Sequence, residues 1–323
     1  MTWRRTGVAA LVALALAVSA TAAPAQYPNR IIKIISPAPP GGNTDIVARL
    51  VQPGLQELVR QTVIVENRGG AGGYIGSDFV AKAPPDGYTL LLAGAFTTIT
   101  ASLKRQPSYN PRTDLVPVAV FTNVPNILVA GPHLKAQGVA ELVAQAKANP
   151  GRLNVGSNGV GTTLHLSAEL FMLRTGTALT HVAYRGWADC VLGLLKGEVD
   201  LMFDNLSTAL PNLTAGKSRP LAVAAPSRHR LLPDTPTLSE LGIKDAEVLS
   251  WFGIMAPGGT PQPVIDTLAA AFRTIADEPE FRKLVEQQGM DVVYYGPAEA
   301  GRFWNGEIDK WESVIKAAGI AGQ

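Results

Sequence analysis

A chain of 323 residues, 46% of them hydrophobic, is long enough for two lobes that each have a core. Its 28 basic and 26 acidic residues give a formal net charge of +2, which argues against nucleic acid or an anionic membrane surface as a partner. The one cysteine, Cys190, excludes an internal disulfide and is predicted to be a small buried hydrophobe within the apolar run CVLGLL.

The first 25 residues have the pattern of an export signal. Arg4 and Arg5 precede an apolar run over residues 7–18 that is too short to span a bilayer comfortably, and residues 23–25 are small enough for cleavage. We predict a signal peptide over residues 1–25 and a periplasmic mature chain. A membrane anchor and a twin-arginine signal are the alternatives. Removing the two leader arginines from the 28 basic residues leaves 26 against 26 acidic residues, a net charge of zero.

Strand-like and helix-like segments alternate along the mature chain, which predicts an α/β architecture with mainly parallel sheets. Asn43 or Thr44 is expected to cap the first helix, and Pro53 to kink or split it. The strand candidates are rich in Ile, Val and Leu: Ile31–Ile35, Val63–Glu66, Tyr88–Leu92, Val116–Phe121, Ile127–Ala130, Leu153–Val155, His181–Tyr184, Val199–Phe203, Leu221–Ala225, Val248–Met255 and Val292–Tyr295. The helix candidates fall between them: Thr44–Val59, Ile75–Ala83, Val139–Ala148, Thr162–Arg174, Ala188–Leu195, Val264–Ala276, Glu280–Gln288 and Ala298–Ala317.

Two long apolar runs, Val118–Ala130 and Val248–Ala256, are predicted to be strands that cross between two lobes. Two crossings make lobe 1 discontinuous, with residues 26–125 and 250–323, whereas residues 126–249 form lobe 2. The ligand cleft is expected between the lobes.

The first strand candidate ends in a loop over residues 37–45, the first glycine loop, and a helix pattern follows. Gly41 and Gly42 allow a tight turn and a close backbone approach. The N–H groups of Gly42, Asn43 and Thr44 are therefore placed to receive a carboxylate at the positive end of the helix dipole. An ordinary tight turn between strand and helix is the alternative.

The second glycine loop, residues 156–163, has the same setting between a strand and a helix. Gly156 and Gly161 have the spacing of a phosphate-binding loop, but Thr162 stands where the lysine must be, so a nucleotide site is not predicted. His165 is as compatible with a structural role as with a ligand contact. The neutral hydrogen-bond donors available for a small anion are Ser157, Thr162, Thr163 and His165.

Enzyme and metal signatures are scarce. The four histidines lack metal-ligand spacing, and no G-x-S-x-G nucleophile motif occurs, so we predict no catalytic residue, no metal and no cofactor. Three aspartates are candidates for acid–base or ligand contacts, although structural aspartates are more common: Asp189, Asp200 and Asp204. An enzyme that uses Asp189, His165 or Cys190 is the third interpretation.

Six runs carry a resemblance that covers essentially the whole mature chain: PAPPGGNTDIVAR, VIVENRGGAGGYIGSDFVAKAPPDGYTLLL, NGVGTTLHLSAELF, YRGWADCVLGLLKGEVDLMFDN, GIMAPGGTP and IDKWESVIKAAGI. They resemble the solute-binding receptors of tripartite tricarboxylate transporters, the Bug/TctC family. The resemblance implies a two-lobed periplasmic-binding-protein type II fold with the ligand cleft between the lobes. It also implies a non-enzymatic receptor that delivers a small carboxylate, whether a di- or tricarboxylate or an aromatic or amino-acid carboxylate, to membrane permease subunits.

In that family both glycine loops grip a carboxylate through backbone N–H groups, which on this chain implies contacts within residues 41–44 and 157–163. The chain departs from the family pattern at Ala38, Tyr74 and Asp189, where phenylalanine, asparagine and proline are common, and Asp189 is also placed to cap a helix. The predicted ligand-binding residues are Ala38, Gly41, Gly42, Asn43, Thr44, Tyr74, Ser157, Asn158, Val160, Gly161, Thr162, His165, Trp187, Asp189 and Asp204.

A receptor for a permease is the leading interpretation. The second is a periplasmic subunit that passes the ligand signal to a sensor histidine-kinase ectodomain, because such a subunit needs the same cleft. We expect the identity of the acid to depend on Ala38, Tyr74, Trp187 and Asp189, since backbone N–H groups recognise a carboxylate without specifying what is attached to it.

Overall fold

The computed structural model describes residues 27–103, 107–317 and 319–320. The predicted signal peptide, residues 1–25, lies outside the described residues. The strands are β1 (Ile32–Ser36), β2 (Val63–Asn67), β3 (Thr89–Gly94), β4 (Leu115–Ala130), β5 (Asn154–Ser157), β6 (Thr180–Ala183), β7 (Leu201–Asn205), β8 (Arg219–Val223), β9 (Leu249–Pro257) and β10 (Asp291–Tyr295).

A 3₁₀ turn, Ala71–Gly73, precedes the second α-helix. No helix of the described residues is both long and apolar enough to cross a membrane. The α-helices are α1 (Asn43–Val59), α2 (Tyr74–Ala81), α3 (Ala95–Ser102), α4 (Val139–Ala148), α5 (Thr163–Thr175), α6 (Trp187–Lys196), α7 (Leu206–Thr214), α8 (Gln262–Asp277), α9 (Pro279–Gln287) and α10 (Pro297–Ala317).

Two sheets share the long strand β4. In the first sheet β1 pairs in parallel with β2 and β3, whereas β9 lies antiparallel between β3 and β4, and β10 pairs with the other side of β4. In the second sheet β5 pairs in parallel with β6 and β7, and both β7 and β8 run antiparallel to β4. We call the part around the first sheet lobe 1 and the part around β5–β8 lobe 2.

The prediction of mainly parallel sheets is wrong, although the α/β class is confirmed. Every pairing of β4 and β9 is antiparallel. The physical reason is that these segments carry the chain from one lobe to the other and back, so the outgoing and returning strands run in opposite directions without a crossover helix.

Strand β4 is continuous over 16 residues, as predicted for the run Val118–Ala130, and it joins the two shorter strand candidates Val116–Phe121 and Ile127–Ala130. The residues between them include Pro125 and Asn126, which are poor strand formers. They lie where β4 leaves the first sheet for the second, since Pro125 still pairs with β9 and Asn126 already pairs with β7.

The direction of β4 shows where the parallel strands of the two lobes end. In the first sheet β4 runs in the same direction as β1, β2 and β3, because both β3 and β4 are antiparallel to β9. In the second sheet it runs against β5, β6 and β7. The carboxyl ends of both parallel sets therefore face the junction between the lobes, which is where open α/β sheets bind ligands.

Helix α1 differs from the sequence prediction at its N-cap and is not split at Pro53. Its N-cap is Gly42, in an extended conformation, rather than Asn43 or Thr44. The helix also continues through Pro53 without a break. Pro53 is exposed, so water can reach the carbonyl that the missing N–H leaves unpaired.

Two helices were not predicted. The sequence of α3, AFTTITAS, is rich in β-branched residues, and α7 contains Pro211, so neither has strong helix propensity. Tertiary packing decides both: Ile99 of α3 is fully buried in a core cluster, and Leu206 of α7 is fully buried in another.

A buried carboxylate fixes the C-terminal helix α10 to the first sheet. Glu307 Oε2 accepts hydrogen bonds from the indole N–H of Trp251 in β9 (2.9 Å) and of Trp311 in α10 (3.0 Å). Trp304 adds a bond from its indole N–H to the Pro111 carbonyl (2.9 Å).

The contact between β9 and β4 gives a prediction for stability. A Cβ at Gly253 would lie 2.4 Å from the backbone oxygen of Ala119, so Gly253→Ala must push the two strands apart. We expect a loss of about 1–3 kcal/mol in the free energy of unfolding, measured by denaturant titration. Gly138→Ala is the control, because nothing lies within 4 Å of a Cβ there. Equal stability of the two variants would contradict this tight contact.

Candidate functional site

Both glycine loops lie at the junction between the lobes. The first follows β1, which ends at Ser36, and the second follows β5, which ends at Ser157. Because the carboxyl ends of both strands face the junction, α1 and α5 begin there with the positive ends of their dipoles. The structure therefore brings together two loops that are more than 100 residues apart in the sequence.

A side chain one turn into α1 fixes the first loop. Gly41 has φ +85°, a value that favours glycine, and its N–H donates to the Asp45 carboxylate (N–Oδ2 3.0 Å). Asp45 is buried and also accepts from Arg49 Nε (3.1 Å) and Asn67 Nδ2 (3.0 Å). Burial opposes the ionisation of Asp45, but these hydrogen bonds together hold its pKa below the usual value.

The run ENRGGAGG supports the first loop from the neighbouring strand β2. Asn67 donates to the Ala38 carbonyl (Nδ2–O 3.0 Å), so the backbone of Ala38 is held in place. A Cβ at Gly69 would lie 3.1 Å from Pro39, a contact so tight that the proline loop would have to shift to accept a side chain. This close packing explains why the proline-rich loop and the glycine-rich run occur together.

The second loop is fixed in a similar way. Gly161 has φ +78°, and its N–H donates to the His165 ring (N–Nδ1 3.2 Å). Thr162 is the N-cap of α5: its Oγ1 accepts from the His165 N–H (3.3 Å) and donates to the Gly159 carbonyl (2.8 Å). The buried Ser157 hydroxyl donates to the same carbonyl (3.1 Å). The hydroxyls of Ser157 and Thr162 therefore hold the loop itself.

Both ring nitrogens of His165 have partners within the described part of the chain. Because Nδ1 accepts from Gly161, the neutral ring carries its proton on Nε2, which lies 3.3 Å from Glu169 Oε1. The ring stacks on His181 at a centroid distance of 4.0 Å. Burial, and then the neighbouring His165, lower the pKa of His181 to about 4, so His181 is neutral near pH 7. This geometry favours the structural role of His165 over a direct ligand contact.

The two loops have the same construction. In each, a glycine with positive φ precedes the N-cap, and the side chain at the third helical position accepts the N–H of that glycine. In both helices the side chain four positions further along contacts the side chain that accepts this hydrogen bond. The matched pairs are Gly41 with Gly161, Gly42 with Thr162, Asp45 with His165, and Arg49 with Glu169.

The shared construction determines which backbone N–H groups at the start of each helix remain without a hydrogen-bond partner. The first N–H groups of an α-helix have no partner inside the helix. With the preceding glycine N–H already bound, the first-turn groups that remain are those of Asn43, Thr44 and Asp45 in lobe 1, where the N-cap Gly42 has no side chain, and of Thr163 and Leu164 in lobe 2. In proteins generally, such groups can bind anions at helix N-termini, so each side of the junction offers donors suited to an anion.

Asp204 and Trp187, two predicted site residues, form a pair in lobe 2. The Trp187 indole N–H donates to both carboxylate oxygens of Asp204 (2.9 and 3.0 Å). Thr208 Oγ1 (2.7 Å) and the Asn205 N–H (2.8 Å) donate to the same carboxylate. Burial outweighs these bonds and raises the pKa of Asp204 to about 7. Asp204 is almost completely buried, so its carboxylate is hydrogen-bonded to Trp187 and to the start of α7 and does not face solvent.

Cys190 is fully buried below the second loop, as the sequence predicted. Its Sγ lies 3.9 Å from Met202 Sδ, and a Cβ at Gly156 would lie 2.8 Å from the same sulfur. Burial, and then the Asp204 charge, raise the pKa of the thiol to about 12, which disfavours a nucleophilic thiolate.

Tyr74 and Asp189 have surroundings that the sequence did not predict. The Tyr74 hydroxyl lies 2.8 Å from Ser108 Oγ, and its ring packs on Tyr109 at a centroid distance of 5.2 Å, so these contacts of Tyr74 lie within lobe 1.

The N-cap of α6 is Gly186, and Asp189 is an exposed residue of the first turn, so the predicted capping role of Asp189 is wrong. Whether Tyr74 or Asp189 contacts a ligand stays a prediction.

Asn158 and Val160 lie in the second loop near lobe 1. Val160 is 37% exposed, and its carbonyl oxygen would lie 3.9 Å from a Cβ at Gly72. The Asn158 side-chain oxygen is buried and has no hydrogen-bond partner among the residues described. The Val160 backbone is therefore close to lobe 1, and the Leu103 side chain of lobe 1 lies beside Gly161.

A chain of uncharged side chains connects the lobes beside the loops, and the sequence analysis did not identify it. Asn43 Nδ2 donates to Asn205 Oδ1 (2.8 Å), and Ser207 Oγ donates to Asn43 Oδ1 (2.9 Å). Asn205 in turn donates to Ser250 Oγ (2.8 Å) and to the Asn126 side chain. The sequence signal that could have identified this network is an amide residue after an apolar run, as Asn205 in LMFDN and Asn126 in VPN.

The backbone angles of two loop glycines predict different effects of a valine substitution on stability. Gly42 has φ −80°, whereas Gly161 has φ +78° and a Cβ there would lie 2.1 Å from Leu103 Cδ1 of lobe 1. We expect Gly161→Val to lose about 1–2 kcal/mol more unfolding free energy than Gly42→Val, measured by denaturant titration. A smaller loss at Gly161 than at Gly42 would contradict the left-handed turn.

The raised pKa of Asp204 gives a pH prediction. Between the unfolded pKa of about 3.8 and the folded pKa of about 7, the native state binds the proton that the unfolded state has lost. This group therefore contributes less stability as the pH rises. We expect the wild type to lose on the order of 2–3 kcal/mol relative to Asp204→Asn between pH 5 and pH 8, measured by denaturant titration. A pH-independent difference would show that Asp204 is ionised throughout this range.

Comparison with known proteins agrees with this geometry. The family model described as the tripartite tricarboxylate transporter family receptor matches residues 47–320. Protein BugT of Bordetella pertussis (strain Tohama I) is 38% identical over 322 residues, which cover 97% of this chain and 98% of BugT.

Two solved structures carry ligands in their descriptions. R. palustris Rpa4515 with adipate is 36% identical, has a TM-score of 0.85, and the match covers 91% of this chain and 99% of that one. MatC (Rpa3494) from Rhodopseudomonas palustris with bound malate is 31% identical, has a TM-score of 0.82, and the match covers 90% and 100%. The predicted family and its two-lobed fold are confirmed. The chain therefore belongs to the TctC family of tripartite tricarboxylate transporter receptors, which are periplasmic solute-binding proteins and not enzymes.

Proposed function

We propose that this protein captures a small carboxylate, with a dicarboxylate as the first candidate, between its two glycine loops and delivers it to the permease subunits of a tripartite transporter. The observation that supports this most is the matched pair of helix N-termini at the junction. Each has its preceding glycine N–H bound by the third residue of the helix, through Asp45 or His165.

Backbone N–H groups suit a carboxylate better than a phosphate here. Residues 37–44 and 156–163 carry no charged side chain, and no lysine or arginine stands in the first turn of either helix. The acidic residue in the first turn of α1, Asp45, is paired with Arg49. A hydrogen bond to a charged group contributes about 1.5–3 kcal/mol. Four such bonds and two helix dipoles have the size that micromolar binding requires, about 8 kcal/mol.

Contacts across the junction link ligand capture to closure of the lobes. Asn43 joins α1 of lobe 1 to Asn205 and Ser207 of lobe 2, and Gly161 lies against Leu103 of lobe 1. These contacts form only when the lobes meet. A ligand that binds both N-termini adds its own interactions to this arrangement and thereby shifts the population towards the closed state.

The lobe boundaries and the cellular route are part of the proposal. We place lobe 1 at residues 26–125 and 250–323 and lobe 2 at residues 126–249, which is supported by the change of partners along β4. Export through the signal peptide of residues 1–25 would place the receptor beside a membrane permease. The adipate and malate in the descriptions of the two relatives support a dicarboxylate as ligand.

The test is thermal unfolding and calorimetry of ligand-stripped mature protein with adipate, malate, citrate and acetate. We expect at least one of these acids to stabilise the protein, by about 2.7 kcal/mol at a concentration 100 times its Kd. The neutral diamide of adipic acid serves as the ligand control, because it has the same length without the charge.

Two valine variants provide the protein control. Gly42 and Gly138 are both N-cap glycines in extended conformations, and neither has a close neighbour for an added Cβ. We expect Gly42→Val to lose carboxylate binding, because the side chain blocks the approach to the N–H groups of α1, and Gly138→Val to keep it. Stabilisation by none of the acids, or equal binding by both variants, would refute the proposal.

A further inference from the structure

We propose that His165 is the positioning residue of the second glycine loop, in the role that Asp45 has in the first. The inference rests on the proposed function, because its purpose is to present the N–H groups of Thr163 and Leu164 to the ligand. His165 does not need to touch the ligand itself.

The geometry of the loop leads to this role. Gly161 turns the chain with φ +78°, and the only hydrogen bond that the structure gives its N–H goes to His165 Nδ1 (3.2 Å). The backbone N–H of His165 also donates to Thr162 Oγ1 (3.3 Å). One residue thus holds both the glycine before the N-cap and the N-cap itself.

Comparison with the first loop shows which property of the residue matters. Asp45 is a carboxylate that pairs with Arg49, whereas His165 is an imidazole beside Glu169. The charges differ, but each side chain places an acceptor one turn into the helix, 3.0 or 3.2 Å from the glycine nitrogen. The role therefore depends on an acceptor at this position and not on its charge.

The surroundings of His165 restrict the ring to this orientation. His181 of β6 stacks on one face at 4.0 Å, and its Nε2 lies 2.7 Å from Ser157 Oγ at the start of the same loop. Glu169 lies 3.3 Å from His165 Nε2. His165 is only 4% exposed, so the ring cannot turn into solvent.

The experiment compares three substitutions with the wild type. His165→Leu removes the acceptor and keeps an apolar side chain. His165→Asn keeps an acceptor, because Oδ1 of asparagine is attached to Cγ as Nδ1 of histidine is. His133→Leu is the matched control, since His133 is an exposed histidine outside both loops.

Hydrogen exchange of the Gly161 amide, measured by NMR without ligand, is the direct readout. We expect this amide to exchange at least about threefold faster in His165→Leu and to stay near the wild-type rate in His165→Asn and His133→Leu. Adipate affinity is the second readout, with an expected loss of about threefold to tenfold in His165→Leu and recovery in His165→Asn. Thermal unfolding of each variant confirms that it is folded.

Two results would overturn the inference. One is an unchanged Gly161 exchange rate in folded His165→Leu. The other is a His165→Asn protein that exchanges Gly161 as fast as His165→Leu does, which would show that the imidazole matters for packing and not as an acceptor. If the wild type binds no carboxylate, the proposed function fails, whereas the exchange rates still decide the role of His165.

Discussion

The hydrogen bond from a glycine N–H to a side chain one turn into the following helix is the constraint on which this site depends. It occurs twice, from Gly41 to Asp45 and from Gly161 to His165. A glycine is required at both positions because φ is positive, and an acceptor is required because the N–H is turned towards the helix. Once this group is bound, the first-turn N–H groups are the donors left for an anion.

The long strand β4 makes two such loops face each other. Because it passes from one sheet into the other without turning back, the parallel strands of the two lobes point their carboxyl ends at the same junction. The side chains that bridge the junction are amides and hydroxyls, such as Asn43 and Asn205. Uncharged bridges can break and form as the lobes move without leaving a buried charge unpaired.

Two of the buried carboxylates, Glu307 and Asp204, accept hydrogen bonds from tryptophan indoles. Glu307 receives two tryptophan N–H groups in lobe 1, and Asp204 receives Trp187 in lobe 2. Asp204 lies at the end of β7, close in sequence to Asn205, which joins the lobes. Asp204, which orients Trp187, is therefore adjacent in the chain to Asn205, which bridges the lobe junction.

The α/β class, the positions of most helices and strands, the two glycine loops and the family can all be predicted from the amino-acid sequence. This is possible because periodicity, glycine and proline act locally and family motifs are runs of neighbouring residues. The sequence did not determine the antiparallel course of β4 and β9, the helices α3 and α7, or the uncharged network at Asn126 and Asn205. Nor did it show that His165 repeats the role of Asp45, since aspartate and histidine share no pattern. Tertiary structure decided these features, because each depends on which acceptor or apolar surface a distant segment brings into contact.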